Sequence, residues 1–109
     1  MRQKIVALPR LDRLRPTIES TALKLMEEAG ELAQAIGKLR GLNGETVDIE
    51  REEVIHLISR ELLDVAQTAI SMMFVLEDQY GVDIDQVQHE HLAKLVRKGY
   101  LTPEGEDKA

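Results

Sequence analysis

Cysteine and tryptophan are both absent from this chain of 109 residues, and aromatic residues make up 3% of it. Without cysteine the chain can form neither a disulfide framework nor a thiolate metal site. With so few aromatic side chains, a core must be built from Leu, Ile, Val, Ala and Met, which suits packing between helices. The length fits one domain with a modest core.

Long apolar runs are missing as well. No stretch approaches the roughly 18 apolar residues that a membrane span needs, and the N-terminus has no continuous apolar segment of the kind found in secretory signals. The sequence therefore predicts a cytoplasmic protein with no membrane partner.

Charge is distributed unevenly along the chain. The net charge is −6, but residues 1–15 hold five cations against Asp12 alone, so this segment carries +4 and the remainder −10. The acidic body argues against stable nucleic-acid binding. The basic arm could contact a phosphate-bearing ligand or the acidic surface of a neighbouring subunit. Its cations are Arg2, Lys4, Arg10, Arg13 and Arg15.

Three segments have the periodicity and end signals of helices. The first follows Pro16, because proline is favoured in a first turn, and runs to about Arg40, where a glycine-rich stretch breaks it. The second is predicted from an N-cap at Asp48 to about Gln79, ahead of Gly81.

The third predicted helix starts at a cap formed by Asp83 or Asp85 and runs to about Lys98, where Gly99 stops it. The fold class is therefore all-α. The predicted organisation is a basic N-terminal arm, a helical domain and a polar C-terminal tail, over residues 1–16, 17–101 and 102–109.

The second predicted helix is apolar on nearly every side over residues 62–76, which is typical of a central buried helix. Three helices are too few to cover it in a monomer. We therefore predict a homo-oligomer, either a dimer or a tetramer, in which helices from two chains complete a bundle.

Two acidic pairs lie three positions apart inside these helical segments, Glu28 with Glu31 and Glu61 with Asp64. That spacing puts both carboxylates of a pair on neighbouring positions of one helix surface. Like charges so placed repel by roughly a few tenths of a kcal/mol, so two pairs facing each other would need a cation between them. Clustered oxygen ligands suit Mg²⁺ or Mn²⁺.

The position of Glu61 favours a functional role more strongly than the positions of the first pair do. The alternative for any acidic residue is a solvated surface position. At roughly 100° per residue, Glu61 projects into an apolar stripe of the second helix, with Asp64 at the edge. A carboxylate inside such a stripe is costly unless it is paired or metal-bound. The stripe consists of Val54, Ile58, Val65, Met72 and Leu76.

The first pair is placed differently. Glu28 is predicted to flank the core stripe of the first helix and Glu31 to lie further round, so either alone could be a surface residue. The presence of the second acidic pair is what favours a functional role for the first. The predicted stripe consists of Ile18, Ala22, Leu25, Ala29, Leu32 and Ile36.

Three segments resemble one known family. They are KLMEEAGEL at residues 24–32, ELLDV at 61–65 and HLAKLVRKGY at 91–100. The first two resemble the E-E-x-x-E and E-x-x-D signature of MazG-like nucleoside triphosphate pyrophosphohydrolases, and the third is similar to the basic motif of the same all-α superfamily. The resemblance covers roughly residues 17–101. It implies an oligomeric, Mg²⁺-dependent enzyme that cleaves a (deoxy)nucleoside triphosphate to the monophosphate and pyrophosphate, in nucleotide-pool house-cleaning.

The resemblance also implies roles for individual residues. Glu27 would support the metal ligands or help to position water, and Lys94, Arg97 and Lys98 would contact phosphates. The alternative for these three cations is that they complement the macrodipole at the end of their helix. The implied ligands of Mg²⁺, with Mn²⁺ as a possible substitute, are Glu28, Glu31, Glu61 and Asp64.

Two other classes of protein remain open. A di-iron carboxylate bundle needs Glu-x-x-His motifs on two helices, whereas here the second member of each pair is Glu31 or Asp64. A non-enzymatic helical interaction or regulatory module is the other alternative, but such a module has no reason to bury Glu61. No motif indicates a preferred base or sugar.

Overall fold

A computed structural model describes residues 1–41 and 48–103 of the chain, except for the side chains of residues 48 and 49. It contains three helices, α1 (Ile18–Gly41), α2 (Asp48–Tyr80) and α3 (Ile84–Arg97). No strand occurs within these described ranges, so the predicted all-α class is confirmed. No helix in the same ranges has the length and apolar character needed to cross a membrane.

The start of α1 is fixed by a reciprocal capping contact. The backbone N–H of Ser20 donates to Thr17 Oγ1 at 3.0 Å, and the N–H of Thr17 donates to Ser20 Oγ at 2.8 Å. Thr17 is therefore the N-cap, because its hydroxyl satisfies one of the free N–H groups of the first turn. Pro16 precedes the cap and therefore lies outside the helix, not in its first turn as predicted.

The ends of α2 and α3 follow local signals. The predicted cap at Asp48 falls on a side chain outside those described, and α2 itself ends before Gly81, whose φ of 65° is left-handed. Asp83 caps α3 by accepting a hydrogen bond from the Gln86 N–H at 3.1 Å, which decides between the two predicted caps. Gly99, with a φ of 79°, follows α3 in a Schellman-type ending.

The chain divides into two compact units. One spans Leu8–Val75 and contains α1, most of α2 and the candidate site. The other combines Met1–Ala7 with the chain from Leu76 onward and contains α3.

Within the first unit, α1 and α2 run antiparallel. Only six residues join them in the sequence, and a connection this short returns the chain alongside itself. Glu31, in the middle of α1, approaches Glu61 of α2. Gln67, further along α2, donates through its side-chain amide to the carbonyl of Pro9, which precedes α1, at 2.8 Å. The two helices therefore pack side by side in opposite directions.

The predicted core stripe of α1 was wrong on one side. Ala22, Ala29 and Ile36 are exposed, while Thr21, Glu28 and Ala35 are buried. The reason is that α1 carries apolar residues on two faces, so hydrophobicity alone does not identify the face that packs on α2. Glu28 consequently lies in the middle of the packed face and not on its flank. That face, with alternating spacings of three and four, consists of Ile18, Thr21, Leu25, Glu28, Leu32, Ala35 and Leu39.

Part of the basic arm packs against α2. The Arg10 guanidinium lies 5.3 Å from the centroid of the Phe74 ring, within the range of a cation–π interaction. The neighbouring carbonyl of Pro9 accepts the hydrogen bond from Gln67. Two contacts therefore attach residues 9 and 10 to the same helix.

Candidate metal centre

Three carboxylates converge where α1 packs on α2. Glu28 and Glu31 on α1 and Glu61 on α2 each offer one oxygen, and these three oxygens lie within 4.8 Å of one another. The spacing of three residues aligns the first two on one helix surface, and the antiparallel passage of α2 supplies the third. The structure therefore brings together three of the four predicted metal ligands.

Two of these carboxylates hold buried oxygens without hydrogen-bond partners. Glu28 is buried and Glu61 half-buried. Within the part of the chain that the structure describes, neither Glu28 Oε2 nor Glu61 Oε2 receives a hydrogen bond. A buried carboxylate oxygen without a donor or a cation is unfavourable. The site therefore has the properties of one that binds a positively charged ligand.

Glu31 responds to the negative charge around it. Its side chain is exposed, yet its pKa is raised above the usual value of 4.5. The main cause is the charge of Glu28, followed by partial desolvation and then by the charge and close approach of Glu61. A divalent cation among the three groups would oppose this effect, because it stabilises the ionised carboxylates.

One lysine contacts the cluster. Lys24 Nζ lies 3.1 Å from Glu28 Oε1, one helical turn earlier on α1. The pKa of Lys24 is raised, first by this hydrogen bond and then by the charges of Glu28 and Glu27. Glu28 is therefore paired on one oxygen and unpartnered on the other.

A shallow, open groove of about 610 Å³ lies on the surface of α2, and Glu61 is the member of the cluster that lines it. Asp64, the fourth predicted ligand, is exposed and lines this groove beside Glu61, outside the group of three converging carboxylates. Arg60 supplies a cation to the same wall, and Leu63 an apolar surface. The remaining lining residue is Ser59, whose hydroxyl donates to the carbonyl of Ile55.

The other predicted site residues lie elsewhere. Glu27 is exposed on α1, where its charge helps to raise the pKa of Lys24. Lys94 and Arg97 occupy the last turn of α3 and Lys98 is its C-cap, all in the second unit of the chain. Their contact with phosphates stays a prediction.

The donor set suits a hard divalent cation. Every ligand atom in the group is a carboxylate oxygen, and oxygen ligands are those that Mg²⁺ and Mn²⁺ prefer. No histidine belongs to the group among the described residues, although histidine accompanies the glutamates in di-iron bundles. The residues therefore fit the predicted Mg²⁺ better than a di-iron centre.

Two residues beside the site were not singled out from the sequence. Lys24 could have been found from its position four residues before Glu28, since that spacing brings opposite charges together on a helix. Arg60 is the sequence neighbour of Glu61, but adjacency alone does not indicate that both side chains line one groove.

This chain is similar in sequence to known proteins. No solved structure gives a significant match. The uncharacterized protein YvdC of Bacillus subtilis (strain 168) is 34% identical over 79 residues, covering 68% of each chain. The sequence model of the MazG nucleotide pyrophosphohydrolase domain matches residues 16–99, which include the carboxylate cluster, and it indicates a nucleotide pyrophosphohydrolase. The predicted resemblance is confirmed, and this chain belongs to the MazG nucleotide pyrophosphohydrolase domain family.

Proposed function

We propose that this protein hydrolyses a (deoxy)nucleoside triphosphate to the monophosphate and pyrophosphate, with Mg²⁺ as cofactor and Mn²⁺ as a substitute. A role in nucleotide-pool house-cleaning in the cytoplasm would follow. The observation that supports this most directly is the group of three carboxylates, two of them with unpartnered buried oxygens. Family membership supplies the class of reaction.

Glu28, Glu31 and Glu61 would hold the cation. Asp64 follows Glu61 by three residues and lines the same groove, so we propose it as the fourth ligand. When bound, a divalent cation would neutralise phosphate charge and lower the barrier to attack by water. The need for such a cation follows from the residues themselves, because a polyanionic triphosphate is repelled by three clustered carboxylates.

The open groove gives the nucleotide a place beside the cluster. Arg60 can donate two hydrogen bonds to phosphate oxygens through its planar guanidinium. Leu63 offers an apolar surface for the sugar or the base. We propose Lys94, Arg97 and Lys98 as further phosphate contacts, in keeping with the basic third motif.

The proposed reaction adds water across the phosphoanhydride between the α- and β-phosphates. A bond forms between the α-phosphorus and the water oxygen, and the bond from the α-phosphorus to the bridging oxygen breaks. Pyrophosphate leaves with that oxygen, and a proton is released. Glu27 is exposed next to Glu28, where it would help to orient the attacking water. The chain thus contributes charge, position and orientation.

We also propose that the active species is a dimer or a tetramer. Apolar side chains are exposed on both helices of the hairpin, and on α2 three of them recur at spacings of seven and eleven residues, which keeps them on one face. They include Met26 at 74% and Ile36 at 42% exposure on α1, and Ile55 at 42%, Leu62 at 51% and Met73 at 38% on α2. Exposed apolar stripes of this kind are usual where helices of another subunit pack.

The exposed apolar faces also favour the second candidate, a non-enzymatic helical module that binds other proteins. The carboxylate cluster distinguishes the two candidates. A binding module gains nothing from buried, unpartnered acids at its centre, since they lower its stability.

A panel of canonical and modified nucleoside triphosphates, incubated with Mg²⁺ and assayed for pyrophosphate, tests the proposal. We expect at least one nucleotide to give monophosphate and pyrophosphate in equal amounts, and chelator to stop the reaction. Release of inorganic phosphate in place of pyrophosphate would contradict the proposed bond cleavage. If the protein hydrolyses none of the nucleotides, the result would favour the binding module.

A further inference from the structure

Lys24 makes an ion pair whose two ends differ in environment. Its Nζ lies 3.1 Å from Glu28 Oε1, yet the Lys24 side chain is 56% exposed and the Glu28 side chain only 8%. Burial fixes the carboxylate, whereas the lysine approaches it from solvent on a flexible four-carbon stem. The lysine can therefore leave this position without disturbing the helix packing.

The pair neutralises the cluster only in part. Three carboxylates share the space, and the second oxygen of Glu28 has no partner among the residues that the structure describes. One ammonium group from the solvent side balances one of these charges. A divalent cation placed between the carboxylates would balance two, and it would be close to three ligands instead of one.

A cation held by Glu28 would also repel Lys24, since both positive charges would lie next to the same carboxylate. The lysine would then lose its partner and need another anion. If the bound cation carries a triphosphate, as the proposed function requires, phosphate oxygens are the anions that lie near enough to replace Glu28.

We infer that Lys24 is an exchangeable counter-ion of the metal centre, which pairs with Glu28 in the metal-free protein and with a substrate phosphate once the cation is bound. This inference rests on the proposed function. It assigns Lys24 two partners in succession. Removing the charge of Lys24 should therefore strengthen metal binding and weaken phosphate binding.

The first effect concerns the metal alone. Lys24→Gln removes a competitor for Glu28, so Mn²⁺ should bind the nucleotide-free protein more tightly, by about two- to fivefold for an exposed charge. The second concerns phosphate. Pyrophosphate, titrated in saturating Mg²⁺, should bind the variant roughly tenfold more weakly, because a charged hydrogen bond is lost. A purely structural ion pair predicts neither change and only a lower melting temperature.

Both affinities can be measured by calorimetry without turnover. Lys38→Gln is the matched control, since it removes the same charge from an exposed position in the last turn of α1, 14 residues away from Lys24. It should leave both affinities unchanged. Lys24→Arg keeps the charge, so it should bind Mn²⁺ like the wild type and recover much of the affinity for pyrophosphate.

Equal or weaker Mn²⁺ binding by Lys24→Gln, or unchanged binding of pyrophosphate, would overturn the inference. A wild-type protein that hydrolyses nucleotides while Lys24→Gln behaves like Lys38→Gln would refute the role of Lys24 and leave the proposed function intact. Conversely, opposite shifts in the two affinities together with a complete lack of hydrolysis would support Lys24 as a counter-ion and refute the proposed function. A wild type that does not bind Mn²⁺ would refute both.

Discussion

Glu28 of α1 and Glu61 of α2 meet across the helix pair, and each turns one buried oxygen toward a place where no donor in the described ranges reaches it. Their contact is one between like charges in a region with little water. The packing of the two helices must therefore compensate for electrostatic repulsion whenever no cation is present.

Glu61→Gln is expected to abolish hydrolysis and leave the fold intact, or even raise its stability in the absence of metal. The substitution removes a charge from a half-buried position, which relieves repulsion but also removes a metal ligand. Turnover in saturating Mg²⁺ and the melting temperature in chelator measure the two effects. Glu77→Gln, at an exposed position on the same helix, is the control and should keep full activity. Wild-type turnover by Glu61→Gln would exclude Glu61 from the site.

Mn²⁺ is expected to raise the melting temperature of the wild-type protein. A ligand that binds only the folded state adds about 2.7 kcal/mol to the free energy of unfolding at 100 times its Kd, and for a domain of this size that corresponds to roughly ten degrees. Glu28→Gln should lose most of the increase, because it removes the most buried ligand of the group. Matched ionic strength in NaCl is the control. Identical melting curves in chelator and in Mn²⁺ would argue against a preformed centre.

The contribution of Glu31 to the stability of the metal-free protein should fall as the pH rises above 4.5. The folded-state pKa of this residue is raised, mainly by the charge of Glu28, so the folded state holds its proton more tightly than the unfolded chain. The associated stability is fully present below pH 4.5 and is lost as the pH rises through the folded-state pKa. Glu31→Gln cannot ionise. Its melting temperature in chelator, relative to the wild type, should therefore be higher at pH 7 than at pH 4, and a constant difference would contradict the assignment.

Light scattering should give a mass that corresponds to a dimer or a tetramer of the 12.3 kDa chain. Leu62→Glu is expected to shift the mass toward that of the monomer, since it places a charge on the exposed apolar face of α2. His56→Glu adds the same charge at an exposed polar position on α2 and should not change the assembly. A stable and active wild-type species near 12 kDa would rule out the proposed oligomer.

The sequence predicted the helices well because their ends depend on nearby residues. The carboxylate of Asp83 and the N–H of Gln86 are three positions apart, and Gly99 adopts its left-handed φ directly after the cap of α3. Such contacts can be inferred from a few neighbouring letters. The one choice left open, between two aspartates as the cap, was between residues two positions apart.

The packed face of α1 was harder to predict because it depends on the partner helix. Ala22 and Ile36 look like core residues in isolation, but the face that meets α2 contains Thr21 and Glu28 instead. Burying Glu28 next to Glu61 costs free energy when no metal is bound. Stability alone therefore would not predict that this face of α1 packs on α2. Hydrophobicity thus identified the wrong face at the position where the candidate function requires a polar residue.

The site was predictable as a set of residues but not as an arrangement. Spacing correctly indicated that Glu28 and Glu31 would share a surface, and α2 brings Glu61 to them. The same spacing did not indicate that Asp64 would line the groove outside the three-carboxylate group, because three residues of helix also rotate a side chain by about 60° from its predecessor. Whether a pair converges on one point depends on the facing helix.

The hydrogen bond between Gln67 and Pro9 joins positions that are 58 residues apart in the chain. The α1–α2 hairpin, by contrast, is joined by only six residues and can form early, since contacts between near neighbours close small loops at little entropic cost. The arm can attach only after α2 exists, so its docking should be a late step in folding. Deletions that reach Arg10 should therefore remove this late contact, while the hairpin can still form.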